Sequence, residues 1–567
     1  MYALQQAKKE ALTALKKHIG KSFTVNGDML SAPPKVEYGD LSFPCFQLAK
    51  GMGRNPAEIA IEIAAKIGPS LLISRIHAVG PYVNFVFDTD AFAAHAVKDV
   101  LTQKTRYGKG ATGKGKRVMV EYANLNTHKD VHIGHVRNFT VGQSAVEILR
   151  ANGYEVIPVS YINDLGNNVA KCIWGLVHIY PDVEPEGDKL SFLDTAYVEA
   201  VAAVEDDNAK RAEVSQIQRE LENMEGPHVA LWKKTHKWSM DGLKEVFAEF
   251  NLELDKIYLE HDFIEESHEI VKKLLTGGIA KMSEGAAIVD LEAEKMGVNL
   301  LRKTDGTLLY NAKDLALALH KESDYRADRS MYVIDVRQAL AMKQLAATLR
   351  KMGFAREVVH LGYDFVTLPE GAMSSRKGTA IRWSLVRDTM MEKLVEAIRS
   401  RHTDWKEKQI QKTAKALLFA SIKFGMLKQD PDKVITFSME EAMASEGFTG
   451  PYVMYTGARI SSILKKAPVK PAKEMAHIGH ALERDLVMAI ARYPEVVLQA
   501  GLQLKASVIA QYAFDVAQTY ARYYEFVRVI AEDDMPGTSE RLALCSAVRQ
   551  VLTNALGLLG IAAIEEM

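Results

Sequence analysis

Apolar residues recur at helical spacing in the first and last parts of the chain and gather into short continuous runs in its middle. That change of period predicts three kinds of structure in order. Residues 1–110 alternate helical stretches, beginning with the amphipathic MYALQQAKKEALTALKKHIG, with β-like runs at Lys35–Tyr38 and Gly80–Phe87, the pattern of a small α+β domain. Val118–Tyr122 then reads as a buried strand. Val131–Asn152 has helical spacing through Ile133, Val136, Val141, Ile148 and Leu149, with Gly153 placed to end the helix. Val156–Ile162 is a second strand run, and a strand–helix–strand unit builds a parallel sheet whose ligand site lies at the strand carboxyl ends. Function is therefore expected near residues 123–135. Residues 176–250 are polar and mostly helical, an insertion whose acidic Glu205-Asp206-Asp207 reads as a solvated face. Strand signals return at Ala286–Leu291 and Tyr332–Ile334, and beyond residue 400 the pattern is helical to the end.

Composition narrows the class. With 567 residues, and at roughly 100–200 residues per domain, about three domains are expected. Hydrophobic residues at 48% and charged residues at 25% exclude disordered, collagen-like and coiled-coil chains. The 71 basic and 72 acidic side chains leave a formal charge of -1, so any nucleic-acid contact must rest on local patches and shape. Three scattered cysteines, Cys45, Cys172 and Cys545, support neither a disulfide framework nor a metal cluster and fit a reducing cytoplasm. The chain has no apolar run of membrane-spanning length and its start lacks the features of a signal peptide.

Two segments imitate nucleotide-binding motifs. YGKGATGKGKR at residues 107–117 places Gly108, Gly113 and Lys114 as a phosphate loop would, but Gly115 stands where a Mg²⁺-binding hydroxyl is required, and the segment precedes a strand rather than joining strand to helix. It reads as a linker. Between the first strand and its helix lies Glu121-Tyr-Ala-Asn-Leu-Asn-Thr-His-Lys-Asp-Val-His-Ile-Gly-His135. His132 and His135 share one face of a helical first turn, and Gly134 lets a nucleotide lie on the backbone. Imidazoles at a helix N-terminus suit the charge that builds during attack at an α-phosphate, which points to adenylyl transfer. The same tetrapeptide recurs at His477–His480, where no strand precedes it, and this copy is expected in a surface loop. A pair of ordinary helix-start histidines is the plain alternative for the first copy, and a zinc site lacks further ligands nearby. The polar run Asn124, Asn126, His128 and Lys129, at what should be a buried strand end, favours the chemical reading.

VEYANLNTHKDVHIGHVRN resembles the signature of class I aminoacyl-tRNA synthetases, specifically the arginyl-tRNA synthetases. The resemblance continues through Asp255–Glu260, Asp305–Asp314, Val333–Gln344, Leu368–Gly378, Thr449–Tyr455 and Leu558–Ile561. It implies an α/β fold: a Rossmann-type catalytic domain over 116–400 carrying the 176–250 insertion, an α+β N-terminal domain over 1–110, a connecting helical segment over 401–444 and an all-α anticodon-binding bundle over 445–567. It implies ATP with Mg²⁺, L-arginine and tRNA(Arg) as ligands, a monomer in the cytoplasm, and no resident metal or prosthetic group. Activation is expected to require the tRNA.

A guanidinium is a planar, always charged fork of donors, so its pocket needs carboxylates and neutral acceptors. Carried over residue by residue, Asp314 and Glu260 would hold the guanidinium, Tyr310 would pack and bond against it, and Asn124, Asn126 and Gln338 would fix the amino and carboxyl ends. For Glu260, in a crowded acidic stretch with Asp262, Glu265 and Glu266, a surface role stays open. His132, Gly134 and His135 would bind ATP. The mobile second signature, KMSKS, has two candidates. Lys281–Gly285 reads as a hairpin turn before the tyrosine–aspartate element; Ala372-Met-Ser-Ser-Arg-Lys-Gly378 stands after the last strand, where the family places the loop, and is chosen. Met373, Ser374, Arg376 and Lys377 would then serve the nucleotide, with Ala372 in place of the first lysine and Lys129 as its expected substitute on the triphosphate. For tRNA, the resemblance points to Tyr82 and Asn84 in the N-terminal domain, to Tyr452, Tyr455 and Arg459, and to Tyr523 and Tyr524 on a later helix. Tyrosines at such positions also serve as core, and both roles stand open. The rivals are a synthetase for another amino acid, a non-catalytic tRNA-binding relative and a small-molecule adenylyltransferase.

Overall fold

The computed structural model describes residues 1–19, 23–369, 371–372 and 381–567. Six strands, all parallel where they pair, form the central sheet. The first strand, Arg117–Glu121, lies between Glu155–Asn163 on one side and Arg329–Asp335 on the other, so successive crossovers leave it in opposite directions. Such a reversal of strand order opens a crevice at the carboxyl ends. Glu357–Tyr363 adds to one flank; Lys256–Leu259 and the short Leu125–Asn126 add to the other.

From the first strand the chain reaches the helix Ile133–Ala151. Fourteen of its 19 residues are buried and Gln143, Glu147 and Arg150 form one half-exposed stripe, which fixes its direction, N-terminus toward the crevice. The helices Glu407–Leu427, Tyr493–Gln503, Ala506–Phe526 and Met535–Leu558 pack around it and share its apolar core. The buried guanidinium of Arg137 donates to the carbonyl of Pro431 at 2.9 Å. Lys423, 2% exposed, donates to Gln143 Oε1, Phe250 O and Gly560 O at 2.7, 3.1 and 2.7 Å, so one ammonium joins this helix, the exit of the insertion and the end of the chain.

The insertion is four helices, Asn167–His178, Lys189–Val204, Asn208–Asn223 and Val229–Glu249, around a core of Leu193, Tyr197, Leu221 and Trp232. It begins earlier than the polar stretch suggested. Asp207, in the acidic run, caps one of these helices by accepting from the backbone N–H of Ala209 and Lys210. In the N-terminal domain the strand expected at Lys35–Tyr38 is a 3-10 turn, Val36–Tyr38, with Val36 largely exposed. The strands there are Leu41–Pro44, Tyr82–Phe87 and Ile73–Val79, antiparallel in that order. Lys35–Tyr38 has one aliphatic residue to bury, whereas Leu41 and Phe43 both enter the core. Lys281–Gly285 is a hairpin: Ala280–Ser283 pairs with Ala286–Asp290 across Glu284 and Gly285, whose φ values of 49° and 84° suit a tight turn. The linker is anchored by Tyr107, whose ring meets Tyr2 and Tyr493 and whose hydroxyl donates to Ile490 O.

Replacing Lys423 by Met keeps the length of the side chain but takes the donor from one buried and two part-buried acceptors. Equilibrium denaturation should show a loss of ~3 kcal/mol, with no change in the substrate cleft.

Candidate active site

At the switch point the sheet opens into a cleft of about 1020 Å³ lined by Glu121, Asn124, Asn126, His132, Gly134, His135, Tyr161, Asn163, Tyr310, Asp314 and Gln338. Beside it a smaller hollow of about 290 Å³ shares Asn126, His132 and His135 and adds Lys129, Asp130, Asp194, Tyr197 and Arg382.

His132 caps the helix Ile133–Ala151 and His135 occupies its third position. Gly134 N–H donates to His132 Nδ1 at 3.1 Å, and His132 N–H donates to His135 Nδ1 at 3.3 Å. The rings stack with centroids 3.6 Å apart. Burial, reinforced by Lys129, lowers His132 to about 4; burial, His132 and Lys129 put His135 well below the ordinary histidine value. Both rings are neutral at pH 7. A backbone N–H can only donate, so each Nδ1 is the lone-pair nitrogen and each proton sits on Nε2. The capping pattern thus presets two neutral Nε2–H donors at a helix N-terminus. A Cβ at Gly134 would lie 3.0 Å from the His132 ring, so this glycine makes room for the folded-back cap.

Lys129 places its ammonium 4.3 Å from the centroid of the Tyr197 ring, on the insertion. His128 is buried: its backbone N–H donates to Ser239 Oγ, its ring lies between Thr127 Oγ1 and Thr235 Oγ1, and burial lowers it to about 3. It pins the loop to the insertion. Arg382, just past the described gap, donates to Ser191 Oγ at 2.7 Å and pairs with Asp194 at 3.1 Å.

At the other end of the cleft Tyr310 and Asp314 stand one turn apart on the helix Tyr310–Tyr325. Among the described residues Asp314 makes no side-chain hydrogen bond or ion pair. Burial, with the Glu121 and Glu260 charges outweighing the opposing pull of Lys321 and Lys313, raises its carboxyl to about 7. Glu260 differs from expectation. It is fully buried, does not line the cleft, and is bound by Lys313 Nζ at 2.6 Å and Asn163 Nδ2 at 3.3 Å. It is therefore neither a surface residue nor a free guanidinium ligand here. Asn124 borders the cleft, but its amide accepts from Tyr161 N–H and donates to Glu121 Oε1, a framework role. Asn126 and Gln338 line the cleft as expected.

Met373, Ser374, Arg376 and Lys377 lie outside the described residues. Ala372 is in the short strand Gly371–Ala372 that pairs with Val366–Leu368. The second HIGH copy lies away from the sheet: His477 is exposed on Asp90, and His480 caps the helix Ala481–Ala491 because Glu483 completes a capping box there. Of the expected RNA contacts, Tyr82 is exposed edge-on to Phe46, whereas Asn84 is 2% exposed and inside the sheet. Tyr452 packs on Phe514, Tyr455 OH accepts from Arg401, and the Arg459 guanidinium lies over the exposed Tyr524 ring. Tyr523 is core, at 0% exposure. Glu121, Tyr161, Lys313 and Lys321 were not expected at the site; a lone lysine within a helix or a lone glutamate at a strand end carries no sequence signal of burial.

A parallel sheet with a histidine-capped helix at its switch point is the arrangement expected of a class I aminoacyl-tRNA synthetase, and the family models agree. Residues 96–438 match the family model "tRNA synthetases class I (R), catalytic domain", 453–567 the "DALR anticodon binding domain" and 3–87 the "Arginyl tRNA synthetase N terminal domain". The chain is 35% identical to an arginine–tRNA ligase of Bdellovibrio bacteriovorus over 98% of both chains, and 30% identical to one of Treponema denticola over 95% of this chain and 94% of that one. Its structure superposes on Thermus thermophilus arginyl-tRNA synthetase with a TM-score of 0.83 at 25% identity, covering 99% of this chain and 100% of that one. The chain belongs to the arginyl-tRNA synthetase family.

The raised carboxyl of Asp314 has a pH consequence. The unfolded chain releases this proton near the ordinary value and the folded, unliganded protein near 7, so the residue's contribution to stability falls as pH rises between the two. A guanidinium needs the anion. Arginine affinity, measured by titration calorimetry, should rise about ten-fold per pH unit below 7 and level off above it. Asp314→Asn should bind weakly and without this slope.

Proposed function

We propose that the cleft condenses L-arginine with ATP, which enters with Mg²⁺ as its counter-ion, and that the arginyl group then passes to the terminal ribose of tRNA(Arg). The activity is that of an arginine–tRNA ligase. The observation that carries this reading is the meeting, in one cleft, of two neutral Nε2–H donors at a helix N-terminus with a carboxyl group that has no partner among the described residues, one helical turn from an exposed tyrosine.

In the first step a substrate carboxylate oxygen attacks the α-phosphorus, an O–P bond forms, and the bond to pyrophosphate breaks. This chemistry asks the protein for position and charge, with no covalent intermediate. His132 and His135 would donate to phosphate oxygens as charge builds, aided by the helix N-terminus and the open backbone at Gly134. Lys129 would neutralise the leaving triphosphate end in place of the lysine missing at Ala372, with Met373, Ser374, Arg376 and Lys377 closing on the nucleotide. Asp314 and Tyr310 would take the guanidinium; Asn126 and Gln338 would take the amino and carboxyl ends, with Asn124 steadying the framework and Glu260 acting behind Lys313. Tyr82 would stack on RNA from the N-terminal domain, and Tyr452, Tyr455, Arg459 and Tyr524 would face the anticodon arm. Among the described residues no helix is long and apolar enough to cross a membrane. A monomer working in the cytoplasm is the simplest form of this reading.

Pyrophosphate exchange into ATP, run with each of the twenty amino acids and with or without tRNA, tests it. Exchange should occur with arginine alone and only when tRNA is present. Exchange without tRNA would remove the coupling; tRNA binding with no exchange under any condition would make the protein a non-catalytic relative. Lys129→Ala should lower the adenylation rate at least about 100-fold while arginine affinity changes little. Near-normal turnover in this variant would overturn the role of Lys129.

A further inference from the structure

Two of the carboxylates around the arginine end of the cleft already have counter-ions within the fold. Lys321 neutralises Glu121, and Lys313 binds Glu260 at 2.6 Å, with both lysines buried. Among the described residues two groups beside them have no such partner. One is Asp314. The other is Tyr161, near the carboxyl end of the strand Glu155–Asn163.

Tyr161 is 5% exposed, its ring packed in the core with Val159 and Tyr258 and its backbone N–H held by Asn124 Oδ1 at 2.9 Å. Its hydroxyl nevertheless finds no hydrogen-bond partner among the described residues, although the residue borders the cleft. A buried hydroxyl left unpaired weakens a fold, so its retention calls for an explanation outside the empty protein. Burial and the charges of Glu260, Asp314, Glu121 and Asp164 raise the phenol well above its ordinary value, so it keeps its proton. It offers one donor and two lone pairs.

We propose that the Tyr161 hydroxyl is a specificity-determining contact for the guanidinium of arginine, accepting one of its N–H groups beside Asp314. A guanidinium presents five donors in one plane; a single unpaired carboxylate engages two of them, and a neutral acceptor alongside takes another. An ammonium is compact and cannot span both groups in the same way, so the pair selects a planar fork over lysine. The phenol's own proton remains available to a carboxylate oxygen. This inference rests on the assignment of the cleft to arginine.

Tyr161→Phe in the full chain removes only the hydroxyl. Three quantities test it: the arginine and ATP dependence of pyrophosphate exchange with tRNA present, inhibition of that exchange by agmatine, which keeps the guanidinium and lacks the carboxylate, and the melting temperature without ligand. The arginine KM and the agmatine inhibition constant should each rise about ten-fold, with the ATP KM unmoved. The melting temperature should hold or increase, since an unpaired buried group has been deleted. A lowered melting temperature with all constants shifting together would mean a structural role, and arginine and agmatine constants within about two-fold of the parent protein would remove the contact; either result overturns the proposal. If the parent protein itself shows no arginine-dependent exchange, the assignment of the cleft fails instead.

Discussion

Everything at the site depends on the helix Ile133–Ala151 being buried along most of its length while its first turn stays open to the cleft. Burial on all sides but the half-exposed stripe of Gln143, Glu147 and Arg150 fixes the axis of the helix. The bundle beyond residue 400 supplies much of that burial, and Lys423 and Arg137 satisfy carbonyls where the chain could not otherwise do so. The bundle is therefore part of what aims the helix N-terminus, in addition to any role it has with RNA. With the axis fixed, the unpaired N–H groups and the partial positive charge of the first turn face the crevice at the switch point of the sheet.

The two histidines then do less titrating and more donating than their ordinary acidity would suggest. Stacked, buried and beside Lys129, they stay neutral, and the capping bonds to Nδ1 determine which nitrogen carries the proton. Formal positive charge at this end of the cleft is carried, among the described residues, by Lys129, held over Tyr197, and by Arg382. The insertion thus reaches the chemistry from behind, through Tyr197 on Lys129 and through Ser239 and Thr235 on His128.

At the amino-acid end the logic is charge balance. Of the carboxyl groups Glu121, Glu260 and Asp314, the first two are met by the internal lysines Lys321 and Lys313, and Asp314 has no such partner among the described residues. Without ligand, burial lets Asp314 hold a proton near neutrality, which spares the empty cleft an uncompensated anion.

Much of this was legible in the residues. The strand–helix–strand pattern located the switch-point loop, the spacing of His132 and His135 placed them on one turn, and Tyr310 with Asp314 fell four apart on a helix, because these relations are local and follow from the helical and strand repeats. Local pattern also separated the two HIGH copies, since one follows a buried strand and no strand precedes the other. What the tertiary structure alone decided was which side chains have partners. That Glu260 is taken by Lys313, that Asn84 and Tyr523 are core while Tyr82 and Tyr524 are exposed, and that the Tyr161 hydroxyl is left unpaired depends on contacts between residues tens to hundreds of positions apart. Periodicity says which face of an element is buried; only the packed neighbours determine whether a buried polar group is satisfied or kept free for a ligand.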